Sequence, residues 1–343
     1  MQFHFRSLTR LGHTLALLIT MLALMGACGP AVARPGSLVL PTAVIALATA
    51  PLPPTALPPV AFIPTVTAVP SPTPGQPWRF VILGDTRTQG LDPPEVTSQI
   101  VVQAAAAHPA MVLAMGDLIN ALNTPDEVRQ QWQNWRAVVA PLVAVDHGSP
   151  WLLPTPGNHD VQSGSWAAAL FTEAFPELPT NGPAGLERRT YLVDYRGVRF
   201  ISLDSERLEA MHLLDDAQLT WLETQLRNNP NHAKTIVFSH DPAYPIGPHI
   251  GSSLDVYPQV RDRFWALLRQ YGVTAYIAGH EHLYNHQVID GVHQIIAGTS
   301  GSFVYAGSGG EFYHYVVGEV SSTSLTFTVY DQAGQQRDRF TIP

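Results

Sequence analysis

The sequence holds one cysteine, Cys28, in 343 residues. That excludes an intrachain disulfide and a cysteine-based zinc cluster. Basic charge is also scarce: 19 Lys and Arg against 27 Asp and Glu give a formal net charge of −8. The charge is unevenly placed. No acidic residue precedes Arg79, and only Arg6, Arg10 and Arg34 of the basic ones do, so residues 79–343 carry 16 basic and 27 acidic side chains, a net −11. So acidic a body argues against non-specific nucleic-acid binding, which runs on phosphate neutralisation by Lys and Arg, and no nucleic-acid partner is expected. A small phosphate ester stays admissible, because a bound metal reverses the local sign. A hydrophobic fraction of 45% supplies a sizeable core and excludes a wholly disordered chain.

The first 78 residues read as an address and a tether. Two arginines and no acid lie in residues 1–14, the apolar run Leu15 to Gly26 follows, and then Ala27 and Cys28. This is the charged, apolar and small-residue order of an export signal. The run is too short for a membrane span, which needs ~20 residues. Gly26-Ala27 before the lone Cys28 resembles the bacterial lipoprotein box, which implies residues 1–28 as signal, a lipidated Cys28 as membrane anchor, and an exported, lipid-anchored protein on the cell surface or the periplasmic side. Residues 29–78 follow as a stalk: 13 of the 30 prolines lie between Gly29 and Pro77, among Ala, Val and Thr. Proline removes backbone donors and fixes φ, so the expectation is an extended, disordered tether.

From Arg79 the pattern alternates short apolar runs with helical periodicity. Strands are expected at Phe80 to Leu83, Met111 to Met115, Trp151 to Leu153, Thr235 to Phe238 and Thr274 to Ala278. Helices are expected over Pro93 to Ala107, Pro125 to Val139, Asp215 to Leu226 and Tyr257 to Tyr271. Hairpins are expected around Arg196-Gly197 and Asp290-Gly291, with two more strands near Tyr313 to Val320 and Leu325 to Tyr330. There is no internal repeat. The sum is a single two-sheet α/β domain over residues 79–343.

Polar signals recur just after the apolar strands: Gly84-Asp85-Thr86-Arg87, Gly116-Asp117-Leu118-Ile119-Asn120, Gly157-Asn158-His159-Asp160, Ser239-His240 and Gly279-His280-Glu281-His282. Ligands of α/β sheets bind beyond the carboxyl ends of strands, and Asp, Asn and His are donors suited to Mn, Fe and Zn. Two such ions clamp the attacking and leaving oxygens of a phosphoryl displacement. Any one block alone is an ordinary cap or turn; five in this order are not.

These blocks resemble the calcineurin-like metallophosphoesterase superfamily, over nearly all of residues 79–343. Gly279 to Tyr284, Ile201 to Ser205 and Gln218 to Leu222 are similar to its purple-acid-phosphatase-like branch. The resemblance implies a four-layer α/β/β/α sandwich with two mixed sheets, and two divalent ions, Mn, Fe or Zn. It implies Asp117 as the bridging ligand, Asp85 and His282 on the first ion, and Asn158, His240 and His280 on the second. His159 would face the phosphoryl group and protonate the leaving oxygen, Asp160 would orient the backbone or that histidine from behind, and a metal-bridging hydroxide would be the nucleophile. Glu281 or backbone carbonyls would hold the ligand histidines from outside.

Two positions depart from the family pattern. Arg87 stands where a metal-binding His is usual; a guanidinium cannot ligate a cation, and its use would be a bidentate grip on substrate phosphate. Asn120 stands where relatives carry an Asp or a metal-binding Tyr; it can offer a carbonyl oxygen to a metal or hydrogen-bond His159. The expected protein is a monomeric metal-dependent phosphoesterase acting on a small phosphate ester outside the cytoplasm. A phosphodiesterase rather than a phosphomonoesterase, or a non-catalytic ligand-binding lipoprotein on a degenerate metal site, are the alternatives. The loop Asp241 to Ser253, with Tyr244 and His249, is either a pocket wall or plain surface. Trp132, Trp135, Trp166, Trp221 and Trp265 read as core, and His147, His212, His232, His286, His293 and His314 as structural.

Overall fold

A computed structural model describes residues 76–143, 151–229 and 234–343. The segment read as an export signal, Cys28, the stalk up to residue 75, His147 and His232 lie outside the described residues. Trp78, read as the end of the stalk, is instead buried as the first residue of a strand. In chain order the elements are β1 (Trp78–Leu83), α1 (Glu95–Ala105), β2 (Met111–Ala114), α2 (Pro125–Val143), β3 (Trp151–Pro154), α3 (Asn158–Val161), α4 (Ser165–Ala174), β4 (Tyr191–Tyr195), β5 (Val198–Ser202), β6 (Glu206–Arg207), β7 (Ala210–Met211), α5 (Asp216–Arg227), β8 (Lys234–Phe238), α6 (Pro258–Gln270), β9 (Ala275–Ala278), β10 (Tyr284–Ile289), β11 (Val292–Ala297), β12 (His314–Val320), β13 (Leu325–Asp331) and β14 (Gln336–Ile342).

Two six-stranded sheets form, ordered β14-β13-β12-β1-β2-β3 and β10-β11-β9-β8-β5-β4, and β6 and β7 make a small ribbon. In the first sheet β1, β2 and β3 run parallel; in the second β5, β8, β9 and β11 do. Strands β2, β5, β8 and β9 are buried at every position, and β2 and β9 read as continuous apolar runs for that reason. The sheets face each other across one core, where Phe80 of β1 meets Phe200 of β5 edge-on at 5.6 Å. Trp132 and Trp135 of α2 and Phe171 of α4 join the same core, and Ile100, Val101 and Ala104 pack α1 into it. On the far side of the second sheet, Leu219, Leu222 and Leu226 of α5 and Phe264, Trp265 and Leu268 of α6 cover Ile201, Val237 and Tyr276. The result is the expected four-layer sandwich.

Several elements differ from the sequence reading, among them the short α3, β6 and β7, which carry no periodic signal. Helix α2 runs through Pro141 to Val143, because Val139 and Leu142 are buried and hold the last turn to the core despite the missing donor. Strand β14 was not expected: Arg337, Asp338 and Arg339 break its apolar alternation, as suits an edge strand. Helix α4 was also not expected; only Trp166 had been placed at helical spacing.

Candidate metal centre

The five blocks follow the carboxyl ends of β1, β2, β3, β8 and β9, so two sheets deliver them to one place. Asp85, Asp117 and His280 all have positive φ, of 51°, 52° and 68°. Such left-handed backbone at non-glycine residues is held only where the surroundings over-determine it. The surroundings here are loop-to-loop bonds: Asp85 N–H donates to the Gly116 carbonyl at 3.1 Å, and the Thr86 and Arg87 N–H groups donate to the Asp117 carbonyl at 2.9 and 3.0 Å. Trp135 Nε1 reaches from α2 to Thr86 Oγ1 at 2.8 Å and fixes this loop from behind.

Asp85, Asp117 and His240 place ligand atoms within 4.8 Å of one another, all buried. Asp117 divides its two oxygens. Oδ1 lies 3.4 Å from His240 Nε2 and accepts the His159 N–H at 2.9 Å, while Oδ2 accepts Arg87 Nε at 3.0 Å. Burial opposes ionisation of Asp117, but His240, His159 and Arg87 outweigh it and hold the carboxyl well below the usual range. His240 Nε2 also lies 3.1 Å from Asn158 Oδ1 and 3.1 Å from His280 Nδ1. Asp85 Oδ2 accepts the His280 N–H at 3.0 Å, and its Oδ1 lies 3.4 Å from His282 Nε2.

Each of the three histidines is held from outside by a backbone carbonyl. His240 Nδ1 donates to Met115 at 2.7 Å, His280 Nε2 to Ser252 at 2.8 Å and His282 Nδ1 to Phe303 at 2.7 Å. The outer nitrogen thus carries the proton, and the free nitrogen points inward, as a metal ligand requires. Burial, opposed in part by Asp117 and aided by Arg87, pulls the His282 ring down to about 4, so it is neutral near pH 7. Asp85 Oδ1 is buried with no hydrogen-bond partner, and burial pushes its carboxyl well up. A buried, unpartnered carboxyl oxygen whose ionised form lacks compensation, beside a free imidazole nitrogen, fits a cation. Glu281 does not hold a histidine; its Oε1 accepts the Gly247 N–H at 2.8 Å and anchors the loop over the site.

Asp160 sits behind the candidate ligands and binds backbone: Oδ1 accepts the Leu118 and Ile119 N–H groups at 3.0 Å each, and Oδ2 accepts that of Gly157 at 2.8 Å. Burial and the nearby Asp117 push its carboxyl up to about 7, against these donors. His159 Nε2 stands 4.0 Å from Asp117 Oδ2, and its ring is 23% exposed. Asn120 does not reach it. Among the described residues Asn120 donates to Gln89 Oε1 at 3.1 Å, and its buried Oδ1 has no partner. The partner of His159 is Gln162, whose Nε2 lies 2.8 Å from Nδ1. An amide nitrogen only donates, so Nδ1 accepts and the neutral ring carries its proton on Nε2. Gln162, which caps the end of α3 three residues after His159, was missed by sequence reasoning.

Outside the centre, His249 lies at 3.9 Å over the His280 ring and is 2.8 Å from Tyr305 Oη, so this part of the loop walls the site. Tyr244 instead packs on Trp265 at 4.9 Å, in the second core. His212, read as structural, pairs with Asp241 at 2.8 Å and Glu206 at 3.7 Å; His212, Asp241 and His280 form a second group of closely spaced metal-type donors.

The profile of the calcineurin-like phosphoesterase family matches residues 79–284. Solved structures share the fold. A purple acid phosphatase from yellow lupin (Lupinus luteus) seeds is 19% identical with a TM-score of 0.62, over 79% of this chain and 55% of its own, so this chain spans about half of that enzyme. A dimetal phosphatase from Danio rerio is 15% identical with a TM-score of 0.58, over 77% of this chain and 98% of its own. The anchor protein GAP50 of the Plasmodium inner membrane complex is 15% identical with a TM-score of 0.56, over 78% of this chain and 88% of its own. No curated protein matches the sequence.

Proposed function

Because the chain belongs to the calcineurin-like phosphoesterase family, we propose that it hydrolyses a small phosphate monoester outside the cytoplasm, tethered to the membrane through a lipidated Cys28. The observation that carries the reading is the inward convergence of three carbonyl-anchored histidines on Asp85, Asp117 and Asn158. Asp85, Asp117 and His282 would hold one divalent cation, and Asp117, Asn158, His240 and His280 a second. When bound, the pair supplies an activated water and neutralises the phosphoryl oxygens.

The chain's own groups do the rest. His159 presents Nε2–H toward the centre and is positioned to protonate the departing oxygen. Burial disfavours the charged ring, with Asp117 opposing and Arg87 assisting; the protonated ring is the form that would donate, since a neutral imidazole is no acid near pH 7. Arg87 spends Nε on Asp117 and leaves its two terminal nitrogens for phosphate oxygens. That added charge favours the dianionic monoester over a diester. Asn120 stays a candidate ligand through its unpartnered oxygen. Asp160 is a positioning residue: it brackets the Asp117 and Gly157 loops.

The test uses the purified full-length chain with added Mn²⁺, on 4-nitrophenyl phosphate and bis(4-nitrophenyl) phosphate, before and after chelation. Chelator-sensitive turnover with the monoester preferred supports the proposal; a diester preference replaces the monoester assignment; and no turnover with Mn²⁺, Fe²⁺ or Zn²⁺ overturns the enzyme reading. For the tether, Cys28→Ser is expected to release the protein from the membrane fraction, and unchanged fractionation would remove the anchor.

A further inference from the structure

We propose that the organic part of the ester is a planar ring, and that it packs on an aromatic wall of Phe303, Tyr305 and His249 with Phe303 as the specificity-determining residue. This rests on the phosphoesterase reading above. The wall is built onto the ligand histidines themselves. The Tyr305 ring lies parallel to that of His282, with centroids 4.5 Å apart and planes 6° from each other, and its N–H donates to the His282 carbonyl at 3.0 Å. Its hydroxyl bonds His249, whose ring covers His280. Phe303 stands edge-on to both His282, at 4.8 Å, and Tyr305, at 5.1 Å.

Phe303 is the telling member. Its carbonyl accepts the His282 Nδ1–H, so its backbone is fixed relative to the centre. Its side chain is 57% exposed, alone among the phenylalanines of the described residues in lying out of the core. An apolar ring left in water beside a phosphoryl site is the arrangement that stacks a flat group and leaves the phosphate at the cations. Ile250, which follows His249 on the facing loop, is 64% exposed and adds apolar surface on that side. The wall carries no Lys or Arg, so it does not suit a second phosphate. A nucleobase and a simple aryl group share this chemistry.

The test compares kcat and KM of the full-length chain and Phe303→Ala on three monoesters: 4-nitrophenyl phosphate, adenosine 5′-monophosphate and glycerol 3-phosphate. The expected result is KM raised about tenfold for the ring-bearing esters, by loss of one stacking contact, and raised far less for glycerol 3-phosphate, which has no ring to stack. Phe303→Trp restores the low KM. Whichever ring-bearing ester loses more identifies the source, aryl or nucleoside. Equal losses on all three esters, a low KM kept by Phe303→Ala, or a wild-type protein without preference for rings would each overturn the inference. If Phe303→Ala does not fold, Phe303→Leu keeps the bulk without the ring, and the same KM split decides. No hydrolysis of any ester by the wild type is instead a failure of the phosphoesterase reading.

Discussion

Gly157→Ala isolates the interlock on which the metal centre depends. Gly157 has φ −101° and ψ 168°, extended backbone that alanine adopts freely. Any effect therefore comes from space alone. A methyl at this position would meet Asp117 N at 2.2 Å, Asp117 Oδ1 at 2.4 Å and the Gly116 carbonyl carbon at 2.9 Å. Two of these are backbone atoms of the facing loop and the third is the shared carboxylate, so no flexible side-chain end can give way. Relief requires the loops after β2 and β3 to part by about 1 Å. Overpacking of this kind costs about 1–3 kcal/mol, and a misplacement of that size costs on the order of 10²-fold in rate. The assay reads bound metal by mass spectrometry, turnover of an aryl phosphate, and fold by circular dichroism, with Gly90→Ala as control, since a methyl there meets nothing nearer than 3.6 Å. The reasoning predicts a folded Gly157→Ala protein with lowered metal content and turnover down about 100-fold, beside a normal Gly90→Ala. Full metal and turnover within threefold of wild type in Gly157→Ala would refute it.

Three further outcomes follow from named contacts. His159→Ala is expected to lower turnover by about 10²–10⁴-fold with metal content unchanged, and Gln162→Ala to lower it less by freeing the tautomer; an activity loss in Gln162→Ala equal to that in His159→Ala would contradict the positioning role. Arg87→Ala is expected to raise the monoester KM and leave the diester KM nearly unmoved, and equal changes on both would remove its phosphate contact. Burial opposes the charge on His212, yet its bonds to Asp241 and Glu206 raise its value from 6.5 to about 10. The stability it contributes is fully present below pH 6.5 and is lost as pH rises toward 10. Chemical denaturation of the metal-free protein should therefore show a decline of about 1–2 kcal/mol over that window, discounted for the exposed part of the ring, and His212→Gln should flatten it.

The convergence of the five blocks was legible in the sequence because each candidate ligand follows a short, largely apolar run, and buried parallel strands leave that signature. Glycines 116, 157 and 279 marked where two loops approach closely, which the contacts with Asp117, His240 and Asp85 now explain. What was not legible passes through groups with no side-chain signal. The acceptors for His240, His280 and His282 are the carbonyls of Met115, Ser252 and Phe303, set by tertiary folding alone. Glu281, placed beside the histidines by sequence adjacency, turns instead to Gly247, because consecutive side chains of an irregular turn need not face the same way. Asn120 was aligned with a family position, but Gln89 takes its amide. Phe303 and Tyr305 lie between two Gly-rich stretches, where no motif singles them out, and strand β14 is hidden by its edge charges.

The most direct test of the account is metal stoichiometry of the full-length chain, measured after saturation with Mn²⁺ and removal of excess, for the wild type and Asp117→Ala. Under the proposed assignment Asp117 is shared by both sets of ligands, so the account predicts two ions per wild-type chain and their loss, with turnover, in Asp117→Ala. Two ions and full turnover retained in Asp117→Ala, or a wild type that binds none, would contradict it.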